Sequence, residues 1–319
     1  MKILITGGAG YIGSVTTELL LSKGHEVTVL DNLSRGHKNS IDQRATFIQG
    51  SLFDSDSLLP DTSFDAIIHL AAYISAGESM SRPDLYWDNN FCGTLQLLRA
   101  MRKRNIKKIV FASTAAVYGN PVGLPLTEES PLNPINTYGM TKLADEMAIS
   151  GEVFAHGIDA VSLRFFNVAG AYNGLGESHL DESHIIPILF EVATGKQKKF
   201  YMYGNDYPTD DGTCVRDYIH VYDLARAIDL CIQGSTKSQH SIYNLANNRG
   251  FSNYEVVRMV EKVTGKKIEI ETQDRRSGDP AILIASSDKA LHEIGWKPTY
   301  PSLEEIVSDA WTHYSARLI

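Results

Sequence analysis

Tyr138 and Lys142 stand four residues apart in the segment NTYGMTKLADEMA, on one face of an expected helix. Every helix makes neighbours at that spacing, and a lysine there is commonly a solvated surface residue, so the pair decides nothing alone. Upstream, FASTAAVYG carries Ser113 and Thr114 at the end of an apolar, strand-like run. Ligands of open α/β sheets collect at the carboxyl ends of strands, although Ser and Thr also do ordinary turn and capping work. A hydroxyl, a phenol and an ammonium brought together form a proton-transfer set.

TGGAGYIG follows the first apparent strand and opens the first helix. Gly8, Gly10 and Gly13 fit G-x-G-x-x-G, and Gly7, Gly10 and Gly13 fit the related G-x-x-G-x-x-G. Such glycines let backbone approach a pyrophosphate at the positive end of a helix, although a tight turn with no ligand would use the same residues. The next strand ends in Asp31, whose carboxylate can accept from an adenosine ribose and repel a 2′-phosphate, which favours NAD over NADP. Arg35 nearby is read as a solvated loop residue. The proton-transfer set then makes sense in numbers. A phenol titrates near ~10, so a base near pH 7 needs its pKa lowered by about three, roughly 4 kcal/mol. One close cation supplies about one to three of that, so Lys142 falls short alone, and an oxidised nicotinamide ring adds a second positive charge.

These residues need a scaffold that sets strand ends beside helix starts. Short β-branched runs, KILIT (2–6), EVTVL (26–30), ATFIQ (45–49), DAIIHLA (65–71), KKIVFAS (107–113) and DAVSLRFF (159–166), alternate with helical patterns near 12–23, 84–104 and 138–156. Continuous apolar strands suit a parallel sheet covered on both faces. The expected fold class is α/β: a Rossmann-type doubly wound parallel sheet with a smaller α/β substrate-binding domain. Residues 1–168 would bind the dinucleotide and 169–319 the substrate, with segments of the second part free to return and pack on the first. Beyond 168, Gly, Asn, Asp and Pro gather in GAYNGLGESHLDESH and YGNDYPTDDGTC, which read as long functional loops. SNYE (252–255) and SLEE (302–305) both fit a capping box.

Composition removes several function classes. The chain has 319 residues, 43% hydrophobic and 21% charged, with no apolar run near the ~18 residues of a membrane span. A net charge of -8 without a basic cluster argues against nucleic acid and for a small-molecule partner. Cys92, Cys214 and Cys231 form no Cys-x-x-Cys and are expected to be reduced packing residues. MKILITGG enters a strand without a secretory pattern, so a cytoplasmic location is expected. In HLDESH, His179, Asp181, Glu182 and His184 could be imagined as metal ligands, but no helical His pair or thiolate supports them; a substrate loop and no metal are expected.

The glycine loop, Asp31, Thr114, Tyr138 and Lys142 together resemble the extended short-chain dehydrogenase/reductase superfamily. GNDYPTDDGTCVRDYIHV (204–221), LRFFNVAGA (163–171) and RRSGDPA (275–281) resemble its UDP-galactose 4-epimerases, and the likeness spans almost the whole chain. It implies interconversion of UDP-galactose and UDP-glucose through a 4-keto sugar with tightly bound NAD, by a homodimer joined through the helices near 84–104 and 138–156. It implies cofactor contacts from Gly7, Gly10, Tyr11, Ile12, Gly13, Asp31, Asn32, Ser51, Leu52, Asn90 and Phe166, and from Ala71 and Ala72 along the pyrophosphate. Tyr138 would be the base, Lys142 its electrostatic partner and ribose ligand, and Thr114 the hydroxyl bonded to the sugar O4. Asn167, His184, Ile185, Tyr203, Arg216, Arg276 and Asp279 match positions that hold UDP. Singly, Arg216 could equally be an ion pair with Asp217, and Tyr203 a core aromatic.

Leu283 falls where relatives wall off the sugar C2 substituent, with a tyrosine in those restricted to glucose and galactose; leucine leaves room for UDP-N-acetylhexosamines. Two positions depart from the pattern: Ser51 replaces an aspartate that meets adenine in relatives, and Ile74 replaces a lysine found in some. A nucleotide-sugar 4,6-dehydratase, the alternative chemistry, carries an Asp-Glu pair after the Thr, where this chain has Ala115 and Ala116, which cannot move protons. A non-catalytic NAD sensor would have no reason to keep Tyr138, Lys142 and Thr114 together.

Overall fold

The computed structural model describes residues 1–60, 64–179, 182–234, 238–276 and 279–318. Seven strands make one parallel sheet: β1 (Lys2–Thr6), β2 (Glu26–Asp31), β3 (Thr46–Gln49), β4 (Ala66–His69), β5 (Lys108–Thr114), β6 (Asp159–Phe165) and β7 (His240–Leu245). Their order, β7-β6-β5-β4-β1-β2-β3, reverses direction between β1 and β4. That reversal opens a crevice at the carboxyl edge, where such sheets bind ligands.

Neighbouring residues of one strand feed opposite cores. Ile3 and Ile5 join Val29, Ile68, Val110 and Leu163 on one face, while Leu4 joins Leu30, Ile67 and Ile109 on the other. Both faces are therefore apolar, which is why the strands read as continuous runs; each such side chain contributes about 1.5–3 kcal/mol on burial. Helices α1 (Tyr11–Ser22), α2 (Gly93–Lys103), α3 (Thr137–His156) and α4 (Val221–Gln233) cover the sheet. α1 and α4 close the first face through Leu20, Leu224 and Ile228. Leu97, Leu98 and Met101 of α2, with Ile149 of α3, close the second. Asn136 starts α3 by accepting from Gly139 N at 2.8 Å, and Gly157, at φ 61°, ends it.

The six expected strands and the helices over 12–23 and 138–156 fall within about two residues of their predicted bounds. The stretch 84–104 is not one helix: Pro83–Tyr86 leads into a π-helical turn over Trp87–Cys92 and only then into α2. β7 was not legible as a strand of this sheet, since it arrives from far along the chain to pair with β6. The box at Ser252 and Glu255 is complete, with bonds of 3.1 and 2.7 Å. Ser302 instead caps through Glu304 N at 3.2 Å rather than by a reciprocal box with Glu305.

A second layer is built around the strand Val215–His220. It pairs antiparallel with Gly250–Ser252 and parallel with Ile282–Leu283 and with Asn167–Ala169. Phe200–Tyr203 runs parallel to Ile270–Gln273, over a core of Leu189, Phe190, Met202, Val257 and Ile306. No described helix is long and apolar enough to cross a membrane.

Candidate active site

The chain leaves β1 through Gly7, whose φ of +75° and Cβ position 2.6 Å from Ala71 N admit only glycine. Gly13 is pressed as hard, since a Cβ there would lie 2.2 Å from Gly7 O. Gly10 differs: the nearest atom to its Cβ position is Gly7 O at 3.4 Å, and it faces a cleft of about 360 Å³. α1 begins there with no side-chain cap, so its first-turn amides are left for a ligand. Asp31, buried at the end of β2, accepts from Ala9 N at 3.0 Å and Leu33 N at 2.8 Å, and burial raises its pKa against those two bonds. Tyr11, Ile12, Asn32, Leu52, Ala71, Ala72 and Phe166 complete the expected wall. A glycine cradle, an uncapped helix start and a carboxylate at the end of β2 fit a dinucleotide such as NAD.

Two expected contacts lie off that wall. Ser51 accepts from Phe53 N at 3.3 Å, and Asn90 uses its amide on the backbone of Tyr73, with bonds of 2.9 and 3.0 Å. Asn90, held in the π-helical turn, thus braces the wall from behind. Arg35 is not a solvated loop residue: it lines the cleft, pairs with Glu78 at 2.7 Å and sits 5.4 Å from the Tyr73 ring centre.

Thr114 at the end of β5 and Tyr138 and Lys142 in the first turns of α3 face the same cleft. The Tyr138 ring packs edge-on against Tyr86, and Lys142 Nζ donates to Ala112 O at 2.9 Å, 4.6 Å from the Phe111 ring centre. Burial pushes the Tyr138 phenol up to about 12; the Thr114 hydroxyl pulls it back and Asp145 pushes it further up. Burial also brings Lys142 down to about 8, opposed by Asp145 and Glu146. Near pH 7 the lysine is still mainly cationic, yet the protein's own groups keep the phenol protonated. A phenolate at Tyr138 would need positive charge from a bound ligand. Ser113 is fully buried and donates to Glu146, which holds Arg164 through bonds of 3.0 and 2.7 Å; this set fixes β5 against α3.

The cleft continues into a second of about 220 Å³, with Tyr11, Asn167 and His184 on both walls. Ile185, Tyr203, Arg216, Arg276 and Asp279 line this second part. Arg276 lies 3.9 Å over the Tyr203 ring centre, so Tyr203 is a cleft aromatic and not a core one. Arg216 pairs with Asp279 at 3.5 Å rather than with Asp217, and braces the carbonyls of Val215 and Pro280. Asp217 is instead buried and accepts from Asn247 N at 2.7 Å. Leu283 is in register with Arg216 but packs beside Phe166 and Ala115, off the walls of both clefts. Sequence reasoning did not single out Glu78, nor Glu177, which lines both clefts two residues before HLDESH. Asp181 lies outside the described residues.

The profile of the NAD dependent epimerase/dehydratase family matches residues 3–246. A UDP-glucose 4-epimerase of Corynebacterium glutamicum is 47% identical over 317 residues, covering 99% of this chain and 96% of that protein. The crystal structure of UDP-glucose 4-epimerase from Bifidobacterium longum in complex with NAD+ and UDP aligns with a TM-score of 0.95 at 35% identity, over 100% of this chain and 99% of that one. The UDP-Glc/GlcNAc 4-epimerase from Campylobacter jejuni aligns with a TM-score of 0.86 at 38% identity, over 99% of each chain.

Proposed function

This chain belongs to the NAD dependent epimerase/dehydratase family, and we infer that it is an NAD-dependent epimerase interconverting UDP-galactose and UDP-glucose. The observation that carries the reading is the position of Thr114, Tyr138 and Lys142, which face a glycine-loop cleft that continues into the one lined by Arg216, Arg276 and Tyr203. When bound, NAD+ supplies the acceptor that takes and returns the sugar C4 hydride. Tyr138 takes the O4 proton, Thr114 holds that oxygen, and the Lys142 ammonium favours the phenolate. Arg216 and Arg276 hold the diphosphate through forked donors while Tyr203 lies against uracil. Anchoring at the diphosphate leaves the 4-keto sugar free to present its other face. Ala115 and Ala116 offer no acid or base for elimination of water.

In this reading residues 1–168 serve the cofactor and 169–319 the sugar nucleotide, with α4 and β7 returned to the first layer. The active form is a homodimer, supported by an exposed apolar stripe on α3. Three unpaired cysteines suit a reducing cytoplasm. The test is incubation of purified protein with UDP-galactose, and separately UDP-N-acetylgalactosamine, without added NAD, followed by product separation. Conversion of UDP-galactose to UDP-glucose is expected; a 6-deoxy-4-keto product, or no conversion of either sugar, would overturn the reading.

A further inference from the structure

Four side chains outside the proton-transfer set converge where the two clefts meet: Glu177, His179, Glu182 and His184, with one donor atom of each within 4.8 Å of the others. His184 Nδ1 lies 2.7 Å from Glu182 Oε1 and 3.8 Å from Glu177 Oε2. His179 Nδ1 lies against Glu177 Oε1, yet it is buried and makes no aligned hydrogen bond. The imidazoles stack with centres 5.7 Å apart, and the two carboxylate side chains are only 13% and 10% exposed.

We propose that this cluster is a tetrahedral site for a divalent transition-metal ion of the zinc type, bound through two imidazole nitrogens and two carboxylate oxygens. Bonds of about 2.0–2.2 Å place tetrahedral donors roughly 3.3–3.6 Å apart, and the 2.7 and 3.8 Å separations from His184 Nδ1 bracket that spacing. The donor set also chooses the ion. Calcium and magnesium take oxygen ligands, whereas imidazole paired with carboxylate suits zinc, cobalt or nickel. With neutral imidazoles the cluster carries two negative charges, which one divalent ion cancels. The ion would tie Glu177 to His184, the residue that opens the helix Ile185–Ala193 beside the sugar-nucleotide cleft. In sequence HLDESH offered four candidate ligands but no helical His pair or thiolate to support them, and Glu177, two residues before the motif, was not among the four.

Tag-free protein stripped with chelator and titrated with Co2+, with no nucleotide sugar present, tests the site independently of catalysis. The expected result is one equivalent bound per chain, the strong visible absorption of four-coordinate cobalt, and displacement by one equivalent of Zn2+. A hundredfold excess of metal over Kd should raise the melting temperature by a few degrees. His179→Gln and Glu177→Gln, each checked for native circular dichroism, should lower affinity at least tenfold; if one does not fold, the other decides. No uptake, a six-coordinate spectrum, or variants that bind as tightly as the parent would overturn the site.

Discussion

Replacing Tyr138 with phenylalanine deletes the proton acceptor with little change in volume, so turnover should fall by ~10²–10⁴-fold while NAD stays bound. Near-normal turnover would remove Tyr138 as the base. Lys142→Ala takes away a cation that favours the phenolate, so the phenol pKa rises and the pH–rate profile moves to higher pH. Burial lowers the Lys142 pKa, so this help weakens as pH rises; an unmoved profile would leave Lys142 a positioning role only. Leu283 shares a register position with Arg216, so their side chains lie on one face of the strand pair. Leu283 itself lies off the cleft walls, so only a longer side chain such as that of Leu283→Tyr can extend toward the sugar, and it should selectively lower kcat/KM for the N-acetylated substrate. Equal losses on both sugars would end the gatekeeper idea. The proton-transfer set was legible because Tyr138 and Lys142 are one helical turn apart and Thr114 ends a recognisable strand. The direction of the phenol's pKa was not, because burial dominates it and no motif encodes burial. Nor was the pairing of Arg35 with Glu78, whose partners are 43 residues apart.

The elements carry their own tests. Gly13→Ala drives a Cβ into Gly7 O and should destabilise the fold, whereas Gly10→Ala meets only that oxygen at 3.4 Å and should leave the melting temperature nearly unchanged while reducing retained NAD. Equal effects of the two changes on stability would show that Gly10 is a turn residue and not a cradle. At the end of β4, His69 lies between Thr6 and Thr94 at 2.7 and 2.9 Å, and Thr94 spends its one proton on Asn90 O at 2.6 Å. Burial and Lys142 lower the His69 pKa to about 3, and the neutral ring then donates from Nε2 to Thr94 and accepts at Nδ1 from Thr6. An unfolded histidine binds its proton below about 6.5, so the unfolded state takes up protons that the folded state refuses. This contribution is present in full above pH 6.5 and is lost as pH falls toward 3, about 5 kcal/mol at full extent. His69→Gln should cost stability at pH 7 yet flatten the acid slope of urea midpoints over that window; parallel slopes would mean His69 is protonated in the fold. Most of the sheet could be read from its two-sided apolar runs. β7 could not, because HSIYNL has polar residues within it and its partner β6 lies some 80 positions earlier.

At the scale of the whole molecule, the cleft residues all come from one chain, so assembly is a separate question from chemistry. Met140, Met147 and Phe154 recur every seven residues along α3 and are 42%, 64% and 95% exposed, which draws a continuous apolar line down a helix about 30 Å long. Met80 and Trp87 add exposed apolar surface on the segments leading into α2. Scattered apolar residues need no partner, whereas an aligned set on a long helix is the kind of surface a partner covers. A twofold axis beside it would bury the same line from both copies in a symmetric, self-complementary interface. Sedimentation should therefore show a dimer at micromolar concentration. Met147→Glu with Phe154→Glu places four like charges across that axis and should shift the species to monomer, with turnover per chain kept within a few-fold because the proposed site is complete in one subunit. A parent that sediments as a monomer, or a double variant that remains dimeric, places the interface elsewhere or removes it. A monomeric variant that loses turnover altogether would mean that the dimer holds α3, and with it Tyr138 and Lys142, in working position.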